Sequence, residues 1–581
     1  MFATGLTVAV SAAARQSPDA FLYNLGMAAA SWSRLWRRKG LNELSREAGE
    51  SFGLAKSLGP VELVALGIGA IIGAGIFLTV GTAAAGQVDP ATGHVVRLAA
   101  GPAIILSFVV TAVVCGFSAL CYAEMASMIP IAGSAYTYAY ATMGELAAWI
   151  IGWDLLIEYA AGNVAVAISW SGYFNDMLHN LGLLVGAAIG RPGLDWGIPA
   201  WLAVCPRAAS PEILAAAPRL FGHPIVFNLF AVLIVLALTW LLVVGVKESS
   251  RFNAMMVAVK LAILAFFVAV GLRFFSAANW VPAAAPTTWK GFAPNGWAGI
   301  LSGASIVFFA YIGFDAVSTA SEEARNPRRD IPIGILGSLL VCTLVYIAVA
   351  AVLTGMVPYT LLNNAEPLTS AIEAHAGQLG GGWLRWSAFL VAFGSVIAHT
   401  AVLLVYQLGQ PRIFFSMSRD GLLPQWCSRV HPKYRTPVVT TVLTGVAVAA
   451  CSAFFPIDEI VDLTNIGTLF AFALVCGGVL ILRVAEPDRE RPFRAPLVWL
   501  VAPLGILSCG ALMAYLPRVT WVRFFVWLLV GLSFYLSMVV WNESLQRDGV
   551  HPATARWRTA LAGCGAAALI AAGSVWLGLW A

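Results

Sequence analysis

The sequence predicts an all-α polytopic membrane protein with about thirteen spans, judged from its composition, its apolar runs and the placement of its positive charges. Of its 581 residues, 60% are apolar and 11% are charged, against about 45–50% and 25% in a soluble domain. One protein core could not bury so much apolar surface, so lipid must cover helices of about 20 apolar residues each. A soluble fold is therefore excluded.

The apolar runs, taken in chain order, define predicted spans 1 to 13. They lie near residues 60–83, 102–128, 145–174, 225–246, 253–275, 297–319, 333–356, 384–410, 437–455, 459–482, 495–515, 521–541 and 558–580. Each run has a length that suits a membrane-crossing helix. The connection between spans 3 and 4, roughly 175 to 224, is rich in Pro and Gly and is predicted to be a surface loop.

Lysine and arginine residues are concentrated in alternate loops. With the N-terminus in the cytoplasm, the segments on that side from Arg34 onward carry 23 of these residues and loops on the opposite side carry nine. Because positive charge resists translocation, this bias indicates a cell (inner or plasma) membrane protein with a cytoplasmic N-terminus. The N-terminal segment, residues 1–53, is then cytoplasmic.

Several classes of protein and site are not predicted. The net charge is only +5, and the basic residues lie in short loops rather than in a patch, so no nucleic-acid partner is expected. The nine cysteines form no CxxC pair and most lie inside apolar runs, which favours packing over metal binding. Without a nucleophile elbow, an HExxH pair or a phosphate loop, neither an enzyme nor a cofactor is predicted.

Span 1 contains a cluster of glycines that weakens helix propagation. Gly67, Gly69, Gly73 and Gly75 fall within nine residues, and glycine lets the backbone leave the helix or approach another group closely. Helix packing through a GxxxG pair, Gly69 and Gly73, is the alternative interpretation. The cluster alone does not distinguish an interrupted helix from a packing surface.

Span 6 contains a comparable irregularity, because a glycine and an acid interrupt the apolar run Phe308–Asp315. The two irregular spans are five spans apart. Disrupted helices at corresponding positions of two five-helix halves are typical of transporters built from inverted repeats, which bind substrate at the interruptions. The pair therefore predicts a binding site.

An interrupted helix offers complementary groups to a zwitterion. Amide N–H groups around Gly73, Ala74 and Gly75 would begin a half-helix, whose partial positive charge favours a carboxylate. Carbonyls released at the broken ends would accept hydrogen bonds from an ammonium group. These carbonyls belong to Ile71, Phe309, Ala310 and Ile312.

Lys260 lies more than two turns inside span 5. A snorkelling lysine is the structural alternative. Burial disfavours the charged form of lysine, so such a group can bind and release a proton in the physiological range. Proton coupling is the resulting hypothesis.

Glu158 in span 3 and Asp315 in span 6 are the carboxylates best placed to face a cavity, since an ionisable residue at membrane depth needs a functional or structural reason. Either could instead be a protonated residue that holds two helices together. Asp154, four residues before Glu158, shares its face and is the second choice. His399 in span 8 could relay protons, although a lone helical histidine is more often a packing residue.

These residues lie in motifs that resemble the amino acid–polyamine–organocation (APC) superfamily, and within it bacterial members of the cationic amino acid transporter (CAT) group. The matching segments are GIGAIIGAGIF at 67–77, GWDLLIEYAAGNVAVAISWSGYF at 152–174, FFAYIGFDAVSTASEEARNPRRDIPIGI at 308–335, QPRIFFSMSRDGLLP at 410–424 and NIGTLFAFALV at 465–475. Five ordered matches are more specific than one glycine motif.

The resemblance implies a LeuT-like fold with two inverted repeats, residues 54–275 (spans 1–5) and 276–483 (spans 6–10), and peripheral spans 11–13 in residues 484–581. It implies substrate contacts through Ile71, Ala74, Gly75, Phe309, Ala310 and Ile312, with Glu158 and Asp315 near the substrate. Lys260 matches the lysine of proton-driven relatives, and Ser395 and Thr400 are candidate oxygen partners for it. Ala74 departs from close members that have a hydroxyl residue there.

The resulting prediction is a secondary active transporter that carries an amino acid, cationic or small and neutral, into the cell together with protons by alternating access. Substrate, protons and membrane lipid are its predicted partners. An amino-acid exchanger or facilitator without proton coupling is the first alternative. A transporter-like amino-acid sensor is the second.

Overall fold

Helices dominate the chain. The computed structural model describes residues 36–40, 58–88, 93–129, 134–191, 193–245, 250–283, 285–375, 382–434 and 436–548. Predicted span 13 and all of the N-terminal segment except residues 36–40 lie outside the described residues.

The described α-helices are numbered in chain order. They are α1 Pro60–Ile71, α2 Val80–Ala85, α3 Ile104–Met128, α4 Ser134–Thr142, α5 Glu145–Ala188, α6 Pro211–Ala216, α7 Leu229–Val244, α8 Ser250–Gly271, α9 Thr288–Phe292, α10 Gly296–Val307, α11 Ala316–Thr319, α12 Pro327–Met356, α13 Pro367–Glu373, α14 Gly382–Arg419, α15 Val438–Phe454, α16 Ile457–Ala485, α17 Val498–Ala514 and α18 Arg518–Asp548.

Short irregular elements complete the described chain. A π-helix, Gly75–Thr79, leads into α2, and the 3₁₀ turns are Gly101–Ala103, Ala200–Leu202, Leu272–Phe274, Ala277–Asn279, Phe308–Tyr311, Ser321–Glu323, Tyr359–Leu361 and Gln425–Ser428. Two small antiparallel hairpins pair β1 Gln87–Val88 with β2 Val95–Arg97, and β3 Arg219–Leu220 with β4 His223–Pro224. Both hairpins lie in connections between long helices.

Among the described residues, eight helical segments are long and apolar enough to cross a membrane. They are Gly101–Met128, Glu145–Ala188, Ala254–Phe274, Thr288–Thr319, Pro327–Met356, Gly382–Arg419, Ile457–Ala485 and Arg518–Ser537. The bent pair Pro60–Ile71 and Gly75–Ala85, at 44°, makes a ninth, and α7, α15 and α17 are shorter apolar helices. The all-α polytopic class is confirmed, whereas the count of thirteen spans stays a prediction.

The helix α5 is longer than predicted span 3. It continues to Ala188, whereas the apolar run stops near residue 174. At 1.5 Å per residue its 44 residues extend about 66 Å, about twice the hydrocarbon thickness of a bilayer. A helix of this length extends beyond the hydrocarbon core, and the predicted loop between spans 3 and 4 begins later than expected.

The helices that surround the two irregular spans form the interior of the bundle. α5 packs along α14 and α16, and α12 packs against α1 and α3. α8 contacts both α1 and α14. The irregular segments of spans 1 and 6 therefore lie within the bundle.

Residues 36–40 lie against the ends of several helices. The Lys39 ammonium is 3.0 Å from an Asp420 carboxylate oxygen just beyond α14, and its backbone N–H donates to the Tyr140 carbonyl of α4. The Arg37 guanidinium is 3.4 Å from Glu145 at the start of α5. These contacts connect the chain before α1 to three later elements.

Candidate substrate-binding site

Both predicted interruptions are present. The first interruption, residues 72–74, follows the end of α1, where Ile72 has extended backbone angles, and precedes the π-helix. The second interruption, residues 312–315, begins with Ile312 in an extended conformation and continues with Gly313 at a φ of 122°. A φ in this range strongly favours glycine.

The two interruptions pack directly against each other. A Cβ added to Gly75 would lie 2.2 Å from the Ala310 Cα, and a Cβ added to Gly313 would lie 2.9 Å from the Ala70 carbonyl carbon. Real Cβ atoms essentially never come this close to backbone. Gly75 and Gly313 therefore allow the backbones of the two irregular spans to touch.

Tyr346 of α12 connects the carbonyls of both irregular spans. Its hydroxyl lies 3.1 Å from the Ile71 oxygen and 2.9 Å from the Ala310 oxygen, and the side chain is fully buried. Both carbonyls are among those that the sequence predicts as acceptors. They converge on one point, because one hydroxyl reaches both.

Lys260 of α8 is fully buried and reaches the first interruption. Its ammonium donates to the Gly69 carbonyl at 2.6 Å and to the Ile72 carbonyl at 3.0 Å. The end of a helix leaves such carbonyls without intrahelical partners. The lysine therefore satisfies acceptors that the interruption releases, which a snorkelling side chain would not do.

The hydroxyls of Ser395 and Thr400 bond elsewhere. Thr400 donates to the Val396 carbonyl at 2.8 Å and accepts from the Trp170 indole N–H at 2.9 Å. The Ser395 hydroxyl lies 3.3 Å from His399 Nδ1. Among the described contacts, neither hydroxyl bonds to Lys260, so this suggested partnership rests on the family resemblance alone.

His399 has partners on both ring nitrogens. Nδ1 lies 2.7 Å from the Ser395 carbonyl oxygen, and Nε2 lies 2.8 Å from the Ser169 hydroxyl. The ring also contacts Phe77 and Tyr173, with centroids 5.4 and 5.7 Å away. These contacts favour the packing alternative for His399 over a proton relay.

A small cavity adjoins the second interruption. It is lined by Ala70, Glu158, Tyr159, Ile312, Gly313, Asp315, Ala316, Val405 and Tyr406. The structure thus brings the predicted residues Glu158, Ile312 and Asp315 to one cavity. Its free volume is about 10 Å³, which is room for about one water molecule.

The other predicted contacts lie at the same two irregular segments without lining this cavity. Ile71, Ala74, Gly75, Phe309 and Ala310 are all buried there. Their amides and carbonyls are placed by the direct packing of the two interruptions rather than by side-chain contacts. They form the backbone part of the candidate site.

Two carboxyl groups face the cavity. Glu158 is 2% exposed, and its Oε2 has no hydrogen-bond partner among the described residues. Asp315 is 4% exposed and accepts a hydrogen bond from the Gly313 N–H at 3.2 Å. The lining also includes Tyr159 and Tyr406, whose rings meet edge to face with centroids 5.4 Å apart. The cavity therefore combines acidic and aromatic groups.

Comparison with known proteins decides the family. The model of the amino acid permease family matches residues 58–541. The chain belongs to this permease family. The predicted resemblance is thus confirmed, and the chain is a permease rather than an enzyme.

The permease is similar to transporters from bacteria and plants. It is 42% identical over 501 residues to the branched-chain amino acid permease BcaP of Bacillus subtilis, covering 86% of this chain and 97% of that protein. It is 40% identical over 504 residues to the methylthioribose transporter of the same organism, covering 87% and 97%. With the vacuolar cationic amino acid transporter 4 of Arabidopsis thaliana it shares 39% identity over 435 residues, covering 75% of this chain and 64% of that protein.

Several residues of the permease site were not found from the sequence. Tyr159, Val405 and Tyr406 line the cavity, and Tyr346 joins the two irregular spans. Aromatic and aliphatic residues are common throughout membrane helices, so they carry little sequence signal. The one signal in the sequence was that a tyrosine within an apolar run has a hydroxyl group, which needs a hydrogen-bond partner when buried.

Proposed function

We propose that this permease is a secondary active transporter that carries an amino acid across the membrane together with protons. The observation that carries the proposal is the contact between two interrupted helices beside a small acidic cavity. Relatives named as an amino acid permease and a cationic amino acid transporter support an amino acid as substrate. Transport would proceed by alternating access into the cell.

The substrate would lie across the two interruptions. Its carboxylate would accept from amide N–H groups at Ala74 and Gly75, where the π-helix begins and the helix dipole favours an anion. Its ammonium would donate to carbonyls of Ile71 and of the Phe308–Tyr311 turn. The close contact between Gly75 and Ala310 supports this arrangement, because it brings the two sets of groups within reach of one small molecule.

The proposed fold has two inverted repeats, residues 54–275 and 276–483, with the C-terminal helices outside them and the N-terminus in the cytoplasm. The five-span separation of the interruptions supports this division, as does their face-to-face packing. In such a fold the interrupted helices move against the remaining helices. The substrate would therefore contact both the moving interrupted helices and the stationary helices around them.

Lys260 is the proposed site of proton coupling. Its ammonium protons bond to the Gly69 and Ile72 carbonyls on either side of the end of α1. Loss of a proton would weaken this link between α8 and the first interruption. Protonation would thereby control how firmly α1 is held.

The side chain of the substrate would enter the cavity that Glu158 and Asp315 line. An acidic wall suits a cationic side chain, whereas the small volume and the aromatic pair suit a short neutral one. The proposal includes both cationic and small neutral amino acids as substrates. A direct measurement of binding distinguishes the two classes.

The binding test uses the purified permease in detergent with each of the twenty amino acids and methylthioribose. A ligand that binds only the folded state adds about 2.7 kcal/mol of stability at a hundred times its Kd. We expect at least one amino acid to raise the unfolding temperature, and Glu158→Gln to change the ranking of cationic against neutral ligands. Stabilisation by methylthioribose alone would contradict an amino-acid substrate.

The coupling test uses permease reconstituted in liposomes. An inward proton gradient should drive accumulation of the stabilising amino acid, and Lys260→Ala should abolish that accumulation. Uptake that needs amino acid inside the vesicles and ignores the gradient would identify an exchanger instead. Undiminished gradient-driven uptake by Lys260→Ala would exclude Lys260 from coupling.

A further inference from the structure

Asp154 is a buried carboxyl group that the candidate site does not use. It is 0% exposed, and neither of its oxygens has a hydrogen-bond partner among the described residues. Three other buried acids of the described chain have cationic partners, which are Glu124 with Arg483, Glu145 with Arg37 and Asp462 with Arg97.

A glycine of the neighbouring helix makes room for this carboxyl group. A Cβ added to Gly467 of α16 would lie 2.8 Å from Asp154 Oδ1 and 3.2 Å from Oδ2. Any larger residue at position 467 would displace the acid. The interface between α5 and α16 therefore holds a carboxyl group without giving it a donor or a cation.

An ionised carboxylate in this position would be very costly. Taking a charge out of water without a partner is far more unfavourable than burying the neutral acid. Asp154 is therefore protonated in this conformation. It stores a proton that it can release once water or another base reaches it.

The position of Asp154 relates it to the cavity. Glu158 lies one helical turn further along α5, which is about 6 Å along the axis and on the same face. Glu158 lines the cavity, its Oε2 has no hydrogen-bond partner among the described residues, and the two acids are close enough to influence each other electrostatically. Asp154 lies between the cavity and the start of α5, where Glu145 contacts Arg37.

One further carboxyl group lies near the two acids, together with several neutral side chains. Asp315 faces Glu158 from the second interruption, Tyr406 of α14 lines the same cavity, and Thr468 of α16 lies beside Glu158. From α4, the Tyr136 ring packs near α5 but donates its hydroxyl to Asp420. From α18, Trp527 stacks on Trp153 and carries no charge.

We propose that Asp154 and Glu158 form a two-step proton relay between the substrate cavity and the end of the permease at which α5 begins. The inference rests on the proton coupling proposed above. Asp154 first releases its proton to water that reaches it from the end at which α5 begins. The O–H bond of the Glu158 carboxyl group then breaks and an O–H bond forms on the ionised Asp154, so the negative charge moves to Glu158. A proton from the cavity then neutralises Glu158 again.

The relay complements Lys260. The lysine ammonium already donates to two carbonyls in this conformation. A proton that leaves the cavity needs acceptors that are not already satisfied. The partnerless Oε2 of Glu158, and the oxygens of Asp154 once it has released its proton, meet that requirement.

The test compares wild-type permease with Asp154→Asn in liposomes by two measurements. One is counterflow, the exchange of amino acid at equal pH, and the other is gradient-driven accumulation with proton entry followed by an internal pH dye. We expect Asp154→Asn to keep counterflow within about twofold of wild type and to lose at least tenfold in accumulation and proton entry. Asp488→Asn, a change at an exposed position in the connection after α16, is the control and should behave as wild type.

Two outcomes would overturn the relay. One is wild-type accumulation by Asp154→Asn. The other is an unchanged pH profile of gradient-driven uptake in Asp154→Glu. This variant keeps the carboxyl group and replaces Asp154→Asn if that variant does not fold, and the relay predicts that it retains coupled uptake with a shifted pH profile. Wild-type permease that shows counterflow but no gradient-driven uptake would instead refute proton coupling itself.

Discussion

Gly75→Ala tests whether direct contact between the two irregular spans is required. The added methyl group would lie 2.2 Å from the Ala310 Cα, whereas ordinary van der Waals contact begins near 3.4 Å. The difference, 3.4 minus 2.2, means that the backbones must separate by about 1.2 Å. Backbone cannot swing aside as a flexible side chain can.

The size of the effect follows from this displacement. Overpacking of a tight core costs about 1–3 kcal/mol of stability. A 1 Å misplacement of binding groups costs about 100-fold in function where geometry is critical. We therefore expect Gly75→Ala to fold with a lowered unfolding temperature and to lose about 100-fold in amino-acid counterflow.

The assay pairs this variant with Gly116→Ala. Gly116 lies in α3, and a Cβ added there meets nothing within 4 Å. Since alanine favours helix more than glycine by about 1 kcal/mol, the control should be neutral or slightly stabilised. Counterflow by Gly75→Ala at the level of Gly116→Ala would refute the requirement for close contact.

Three further predictions concern stability and are measured by unfolding in detergent. Tyr346→Phe should lower the free energy of unfolding by about 1–3 kcal/mol, because two buried carbonyls lose their hydroxyl donor; an unchanged value would contradict the contact. Arg97→Ala should cost about 3–5 kcal/mol, because it leaves buried Asp462 without its cation, and adding Asp462→Asn should recover part of the loss. Outside the spans, burial and the Asp176 carboxylate raise the pKa of Glu366 to about 8. Between about pH 4.5 and 8, folded Glu366 is protonated and unfolded Glu366 is not. The free energy of unfolding should therefore fall as the pH rises across this range, and Glu366→Gln should remove this pH dependence.

The interruptions could be predicted from the sequence because their cause is local. Clustered glycines weaken a helix wherever it lies, and an acid in an apolar run stands out against lipid. Gly75 and Gly313 therefore gave a signal at sequence level, and so did Glu158 and Asp315. Their convergence on one cavity became visible only in the folded chain.

The hydrogen-bond partners of Lys260 could not be predicted from the sequence. The Gly69 carbonyl is 191 residues away in the chain, and backbone acceptors carry no residue-specific signal. Ser395 and Thr400 looked suitable because they have hydroxyls, but helical Ser and Thr commonly bond to the preceding turn. Thr400 does so through the Val396 carbonyl.

The Tyr346 hydroxyl has one proton and two carbonyl neighbours. At any instant it can donate to Ile71 or to Ala310 but not to both, so one desolvated acceptor always keeps lone-pair capacity for a second donor. A substrate ammonium group could donate to that oxygen, which is already desolvated and oriented, while the tyrosine hydroxyl donates to the other carbonyl. The folded protein would therefore present a preorganised acceptor before any ligand binds.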